Sequence, residues 1–115
     1  MTERDSAKYC VVMVTASSEQ EGEAIATAIL TEKLAACVSI TPVNSLYTWQ
    51  GKINRDREWQ LLIKTNLSLF KKLAQKIQEL HSYEVPEIIA LPIVAGSQSY
   101  LQWIFESTCG DHTIG

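Results

Sequence analysis

This sequence predicts an α+β sandwich, with one four-stranded antiparallel sheet carrying helices on one face and an added helix near the C-terminus. Three observations carry that expectation. Runs rich in β-branched residues alternate with helical stripes in the order strand, helix, strand, strand, helix, strand. The two middle strands are joined by a glycine turn, which makes them a hairpin. Finally, 115 residues, 46% of them apolar and 20% charged, suit one compact core and leave no room for a second domain.

Residues 8 to 15, KYCVVMVT, are β-branched and bounded by serines, which reads as a buried strand. Ser18-Glu19-Gln20-Glu21 has capping-box form: the serine oxygen accepts from a free backbone N–H, and Glu21 reaches back to the chain before the helix. Ala24, Ile25, Ala28 and Ile29 recur at spacings of three and four, an apolar face that continues to Leu34. From Cys37 to Gln50 the pattern turns to strand chemistry, with Val38, Ile40, Tyr47 and Trp49, and WQGKI leads into a returning strand through EWQLLIKT. Asn66 is placed to cap a second helix, whose stripe of Phe70, Leu73, Ala74 and Ile77 ends near His81. Pro86 disfavours helix at Val85 and turns the chain into a last strand, IIALPIV. Gly96 and Ser97 precede a short amphipathic segment, Tyr100 to Phe105, and STCGDHTIG reads as a tail. With right-handed crossovers this order gives a ferredoxin-like βαββαβ sandwich, a single domain over 1–115 with its core at about 8–108.

The net charge of −3, with basic residues scattered among acids, provides no stripe for a phosphate backbone, so nucleic acid is not an expected partner. No apolar run approaches the ~20 residues of a membrane span, and the first eight residues are charged rather than a signal sequence. Three widely spaced cysteines, Cys10, Cys37 and Cys109, suit reduced thiols, and the expected location is cytoplasmic.

The second strand, at about 13 residues, would run roughly 40 Å, against about eight residues for the first. One end of the hairpin should therefore overhang its sheet, and exposed strand edges recruit partners. Tyr47, Trp49 and Trp59 lie in this region and are aromatic types enriched at interfaces, so a homo-oligomer is expected. Trp103 on the terminal helix is expected to cover core or interface.

EKLAACV at 32 to 38, SLYTWQGKI at 45 to 53, LLIKT at 61 to 65, HSYEVPEIIALPI at 81 to 93 and YLQW at 100 to 103 together resemble the CutA divalent-cation-tolerance family. The resemblance runs in order over about residues 8 to 105. It implies a ferredoxin-like homotrimer, similar in architecture to PII signalling proteins, with the long hairpins packed between subunits, and a link to tolerance of copper or other divalent cations. The cysteine of the copper-binding members falls at Val14 and the first of their paired histidines at Leu80; the second is matched by His81.

The candidate metal ligands are His81, Cys37, Glu84 and Glu87: copper prefers thiolate with imidazole, and harder ions prefer carboxylates. His81 at a helix end is equally suited to capping, since the dipole favours a cation there. Cys109 and His112 have Cys-x-x-His spacing without a second pair of ligands. As in a PII-like trimer, Lys64, Thr65 and Tyr83 are the candidates for an anion-binding cleft between subunits, the alternative reading being a small-molecule or nucleotide sensor. Acylphosphatases share the fold, but TASSEQ after the first strand carries no arginine for developing negative charge, and no nucleophile motif is present, so no enzyme is expected. An RNA-recognition module would need paired exposed aromatics that REWQLLIKT lacks.

Overall fold

In the computed structural model, residues 7–110 are described; His112 lies outside them. The elements are β1 (Tyr9–Ala16), α1 (Glu19–Thr31), β2 (Cys37–Trp49), β3 (Lys52–Asn66), α2 (Phe70–Leu80), β4 (Ile88–Pro92) and α3 (Gln98–Thr108), with a 3₁₀ turn at Leu67–Leu69 before α2. The sheet runs β2-β3-β1-β4, and every pairing is antiparallel, as a ferredoxin-like sandwich requires.

Alternation along the strands builds the core. Cys10, Val12, Val14 and Ala16 of β1 and Leu61 and Ile63 of β3 point to one face, where they meet Ile25 and Ile29 of α1 and Leu73 and Ile77 of α2. Burial pushes the Cys10 thiol up to about 11, as suits an inert core residue. On the opposite face, α3 packs against β3, and Ile104 is fully buried there, apart from the helix-side core. α3 is longer than the segment expected from Tyr100 to Phe105, because Thr108 is buried and its hydroxyl bonds the Ile104 carbonyl. β4 is shorter than IIALPIV and ends at Pro92, although the Ile93 N–H still bonds the Tyr9 carbonyl.

Ser18 caps α1, its oxygen accepting from the Glu21 N–H at 3.1 Å. The return bond differs from the expected capping box. Glu21 accepts from the Ser17 N–H and hydroxyl, both at 2.9 Å, one residue further out. The helix ends in a Schellman motif: Leu34 N–H bonds the Ile29 carbonyl, Lys33 N–H bonds the Leu30 carbonyl, and Lys33 takes the left-handed conformation with φ 58°. The apolar face therefore stops at Thr31, and Leu34 is buried from the motif beyond it.

β1 pairs with β3 only as far as Ala16 opposite Trp59, whereas β2 and β3 stay paired to Trp49 opposite Lys52. Residues 43–58 therefore form a two-stranded arm that runs past the sheet. Its tip is Gln50 at φ 52° and Gly51 at φ 76°, the positive pair of a type I′ hairpin turn. A Cβ at Gly51 would meet nothing within 4 Å, so Gly51→Ala isolates the backbone cost of that conformation. It should lower stability by about 1 to 2 kcal/mol in urea unfolding; no loss would mean the turn relaxes freely.

Candidate functional site

The residues singled out around His81 lie where the loop 81–87 crosses from the helix layer to the sheet, and the chain leads them there through four polar anchors. α2 closes with His81 N–H on the Ile77 carbonyl, and the backbone of His81 then turns extended. The imidazole points inward, away from the last carbonyls of α2, so it does not cap the helix with a charge. Its Nε2–H donates to the Thr15 carbonyl at 2.7 Å, while Nδ1 accepts from the Tyr83 N–H at 3.0 Å. Those two bonds fix a neutral ring protonated at Nε2.

Glu21 is the second anchor. Its Oε2 accepts from the Ser82 N–H at 2.7 Å and stands 3.8 Å from His81 Nδ1. Burial would raise its pKa, but the bonds from Ser17 and Ser82 outweigh that and hold it at about 2, below its ordinary 4.5. A carboxylate lowered in the folded state stabilises fully above about 4.5, and that contribution fades as pH falls towards about 2. Urea midpoints measured across this window should fall with acidification, and Glu21→Gln should flatten that part of the profile; an unchanged slope would remove Glu21 from the acid response.

Tyr83 is the third anchor. Its ring lies 4.8 Å from that of His81, and its hydroxyl donates to Glu58 Oε2 at 2.7 Å. Burial first, and then the Glu58 carboxylate, push the phenol far above its usual range. Glu58 is buried at the root of the arm, so this bond ties the loop to the arm. Gln78 completes the set by donating to the Glu84 carbonyl at 3.1 Å.

The four candidate metal ligands are not brought together. His81 has both ring nitrogens engaged, Glu84 and Glu87 are exposed, and Cys37 sits in register with Lys64, four β1 residues from the Thr15 level of His81. Among the described residues no three His, Cys, Asp or Glu side chains are grouped to hold an ion. The residues present in one chain therefore do not fit a resident metal. The Tyr100 phenol reaches Cys37 from α3. Cys109 is exposed and unpaired with any other cysteine.

The candidate anion cleft is likewise dispersed within one chain. Thr65 is buried and its hydroxyl donates to the Leu34 carbonyl at 2.7 Å, a bond that seats the α1–β2 connection on β3. Lys64 is half-buried on the opposite sheet face, and Tyr83 lies at the far end of the sheet. A shallow hollow near the N-terminus, lined by Tyr9, Asn66 and Phe105 among others, contains none of these candidates.

The aromatics divide in two. Tyr47 is 42% and Trp49 60% exposed on one face of the arm, and Leu46 at 58% and Ile53 at 79% are exposed on the other. Trp59, at the root, is half-buried with the Arg57 guanidinium 5.9 Å over its ring. Trp103 is exposed on α3, its ring centroid 5.4 Å from that of Tyr100.

The family model for CutA1 divalent ion tolerance protein matches residues 10–107, nearly the whole of the described fold. The chain belongs to the CutA1 family. It is 48% identical over 99 residues to the divalent-cation tolerance protein CutA of Thermus thermophilus, covering 85% of this chain and 96% of that one. It is also 48% identical to the chloroplastic protein CutA of Arabidopsis thaliana, but spans only 54% of that relative's length. The crystal structure of CutA1 from Oryza sativa superposes with a TM-score of 0.87 at 43% identity, covering 91% of this chain and 97% of that one. A CutA structure from Archaeoglobus fulgidus, described as periplasmic, superposes at 0.85 with 38% identity, covering 87% and 98%. The compartments named for these CutA relatives thus differ. No helix among the described residues is long and apolar enough to cross a membrane.

The loop anchors were not readable from local sequence. Glu21 was recognised only as a capping residue and Glu58 not at all. The available signal is Glu58 itself, an acid directly before Trp59 where the strand WQLLI enters the sheet.

Proposed function

We propose that this CutA1-family chain supports divalent-cation tolerance as a non-catalytic homotrimer, with the arm as its assembly device. One observation carries the reading: a two-stranded arm exposes apolar side chains on both faces beyond the end of β1. An isolated two-stranded ribbon is marginal in water, so this arm takes its support from neighbouring copies. The sheet offers further surface, since β2 and β4 are both open edges and Ile89 and Leu91 of β4 are about half exposed. A non-catalytic role suits the polar cluster, whose His81, Glu21, Tyr83 and Glu58 are all committed to holding the loop 81–87.

Copper or another divalent ion enters this reading as a weakly held surface partner. Exposed Glu84 and Glu87 are the groups available to it, and His81 is retained as a strut. A cytoplasmic location is part of the same reading, supported by three free cysteines of which Cys109 is exposed.

Light scattering at micromolar concentration should return about three times the 12.9 kDa of one chain. Copper(II) titration should show weak binding that Glu84→Gln with Glu87→Gln reduces further. A monomeric mass would overturn the assembly reading. A tight stoichiometric site lost in His81→Ala would overturn the metal reading.

A further inference from the structure

We infer that the hollow between the start of β1, the end of β3 and the later turns of α3 binds a small amphiphilic anion, a carboxylate or phosphate carried on a compact apolar body. The inference goes beyond the tolerance reading and needs neither the assembly nor a metal ion.

The register builds the hollow. Tyr9 stands directly opposite Asn66, so both side chains rise from the same face of the sheet, the one turned away from Cys10 and the helix-side core. The Leu67 N–H bonds the Lys8 carbonyl at 2.7 Å and closes the strand pair beyond its last ladder residue. α3 packs against β3 on that face and brings Phe105 alongside. The space between them is about 440 Å³, a size that suits a small ligand, and it opens broadly to solvent.

Its chemistry is one-sided. Leu67 and Phe105 form apolar walls that the chain leaves 37% and 43% exposed. The polar groups beside them are donors. Asn66 Oδ1 accepts from the N–H and the hydroxyl of Ser68, at 2.9 and 2.7 Å, which commits the oxygen and leaves the Nδ2 hydrogens to donate outward. The Lys8 ammonium can only donate, and the Tyr9 hydroxyl has a proton to give. No carboxylate is among the lining residues; Glu106, beside Phe105 in the chain, accepts from Gln102 of α3 at 3.2 Å instead. A cation would meet the charge of Lys8, whereas an anion finds that charge, two further donors and an apolar wall. Because the hollow is shallow it covers only part of a ligand, so the expected Kd is on the order of 1 mM.

Phenyl phosphate and phenylacetate are the probes, titrated into the ¹⁵N-labelled whole protein with amide shifts followed by NMR. Saturable shifts should centre on Lys8, Tyr9, Asn66 and Phe105, and the tighter of the two probes names the head group. Inorganic phosphate and benzyl alcohol each offer half of the ligand and should bind at least about threefold more weakly, and phenethylamine, with the charge reversed, weakest of all. Asn66→Asp keeps an oxygen for Ser68 while exchanging the donor for negative charge, so it should weaken phenyl phosphate by at least about tenfold. Lys8→Met should weaken both anions by about threefold and leave benzyl alcohol unchanged. Far-UV circular dichroism checks that both variants are folded; should Asn66→Asp unfold, Lys8→Met decides, because its side chain is exposed. No saturable shift up to about 20 mM probe, shifts centred elsewhere, an amine bound as well as the anions, or anion binding indifferent to these substitutions would each overturn the inference.

Discussion

Trp49→Ala is expected to weaken assembly by on the order of 3 to 5 kcal/mol, the range for truncating a tryptophan buried at a contact. The single chain should scarcely notice. Its indole is 60% exposed next to the turn, where the chain itself provides little to pack against. The separation of the two effects is the informative part. Sedimentation across a dilution series should show dissociation at far higher concentration, while the far-UV spectrum of the dissociated chain matches that of wild type. A dissociation profile unchanged by the substitution would place Trp49 outside the interface and shift the argument to Ile53, the most exposed apolar residue on the other face of the arm.

His81→Ala should act on the chain rather than on the assembly, costing about 3 to 5 kcal/mol of folding stability. Two polar groups lose their partner at once: the Thr15 carbonyl, bonded by Nε2–H, and the Tyr83 N–H, bonded to Nδ1. The His81 side chain is fully shielded from solvent, so water does not readily replace either bond. His81→Asn retains a donor and an acceptor on a shorter side chain and should recover part of the loss. Urea unfolding at one protein concentration measures both variants. A cost below about 1 kcal/mol for alanine would mean the loop is held by Glu21 and Tyr83 without the imidazole.

Much of the architecture could be read from local chemistry, because local chemistry determines it. The Gln50-Gly51 turn, the Ser18 cap and the alternation of β1 are decided by residues within a few positions of one another, whereas Asn66, expected to cap α2, caps the 3₁₀ turn before it and α2 starts without a side-chain cap. The overhang followed from strand lengths alone, and the structure has it. Resemblance added the family, which the comparison with known CutA1 proteins bears out. The loop site was different. Ser82 meets Glu21 across 61 residues, His81 meets Thr15 across 66, and Tyr83 meets Glu58 across 25. No periodicity encodes such meetings. His81 reads as a candidate ligand or a helix-end cap because a histidine after Leu80 looks the same in sequence whether it faces an ion, the helix end or the Thr15 carbonyl. Cys37 and His81 were paired as ligands on chemical preference, and the register places them at different levels of the sheet. The extension of α3 to Thr108 was also hidden, since a threonine bonding a carbonyl of its own helix carries no pattern in the sequence.

β1, made before the other described strands, is an inner strand of the sheet, flanked by β3 and β4. On the ribosome it must therefore wait. At about 5 to 20 residues per second, β3 is complete only seconds after β1, and β4 seconds later still. Throughout that interval a run of Cys10, Val11, Val12, Met13 and Val14 has both backbone edges open, and α1 is the one packing element of the core made early enough to cover it. The β1 run is thus the segment of this fold most open to mispairing during synthesis, and a chaperone that holds short apolar β segments would have its natural target there.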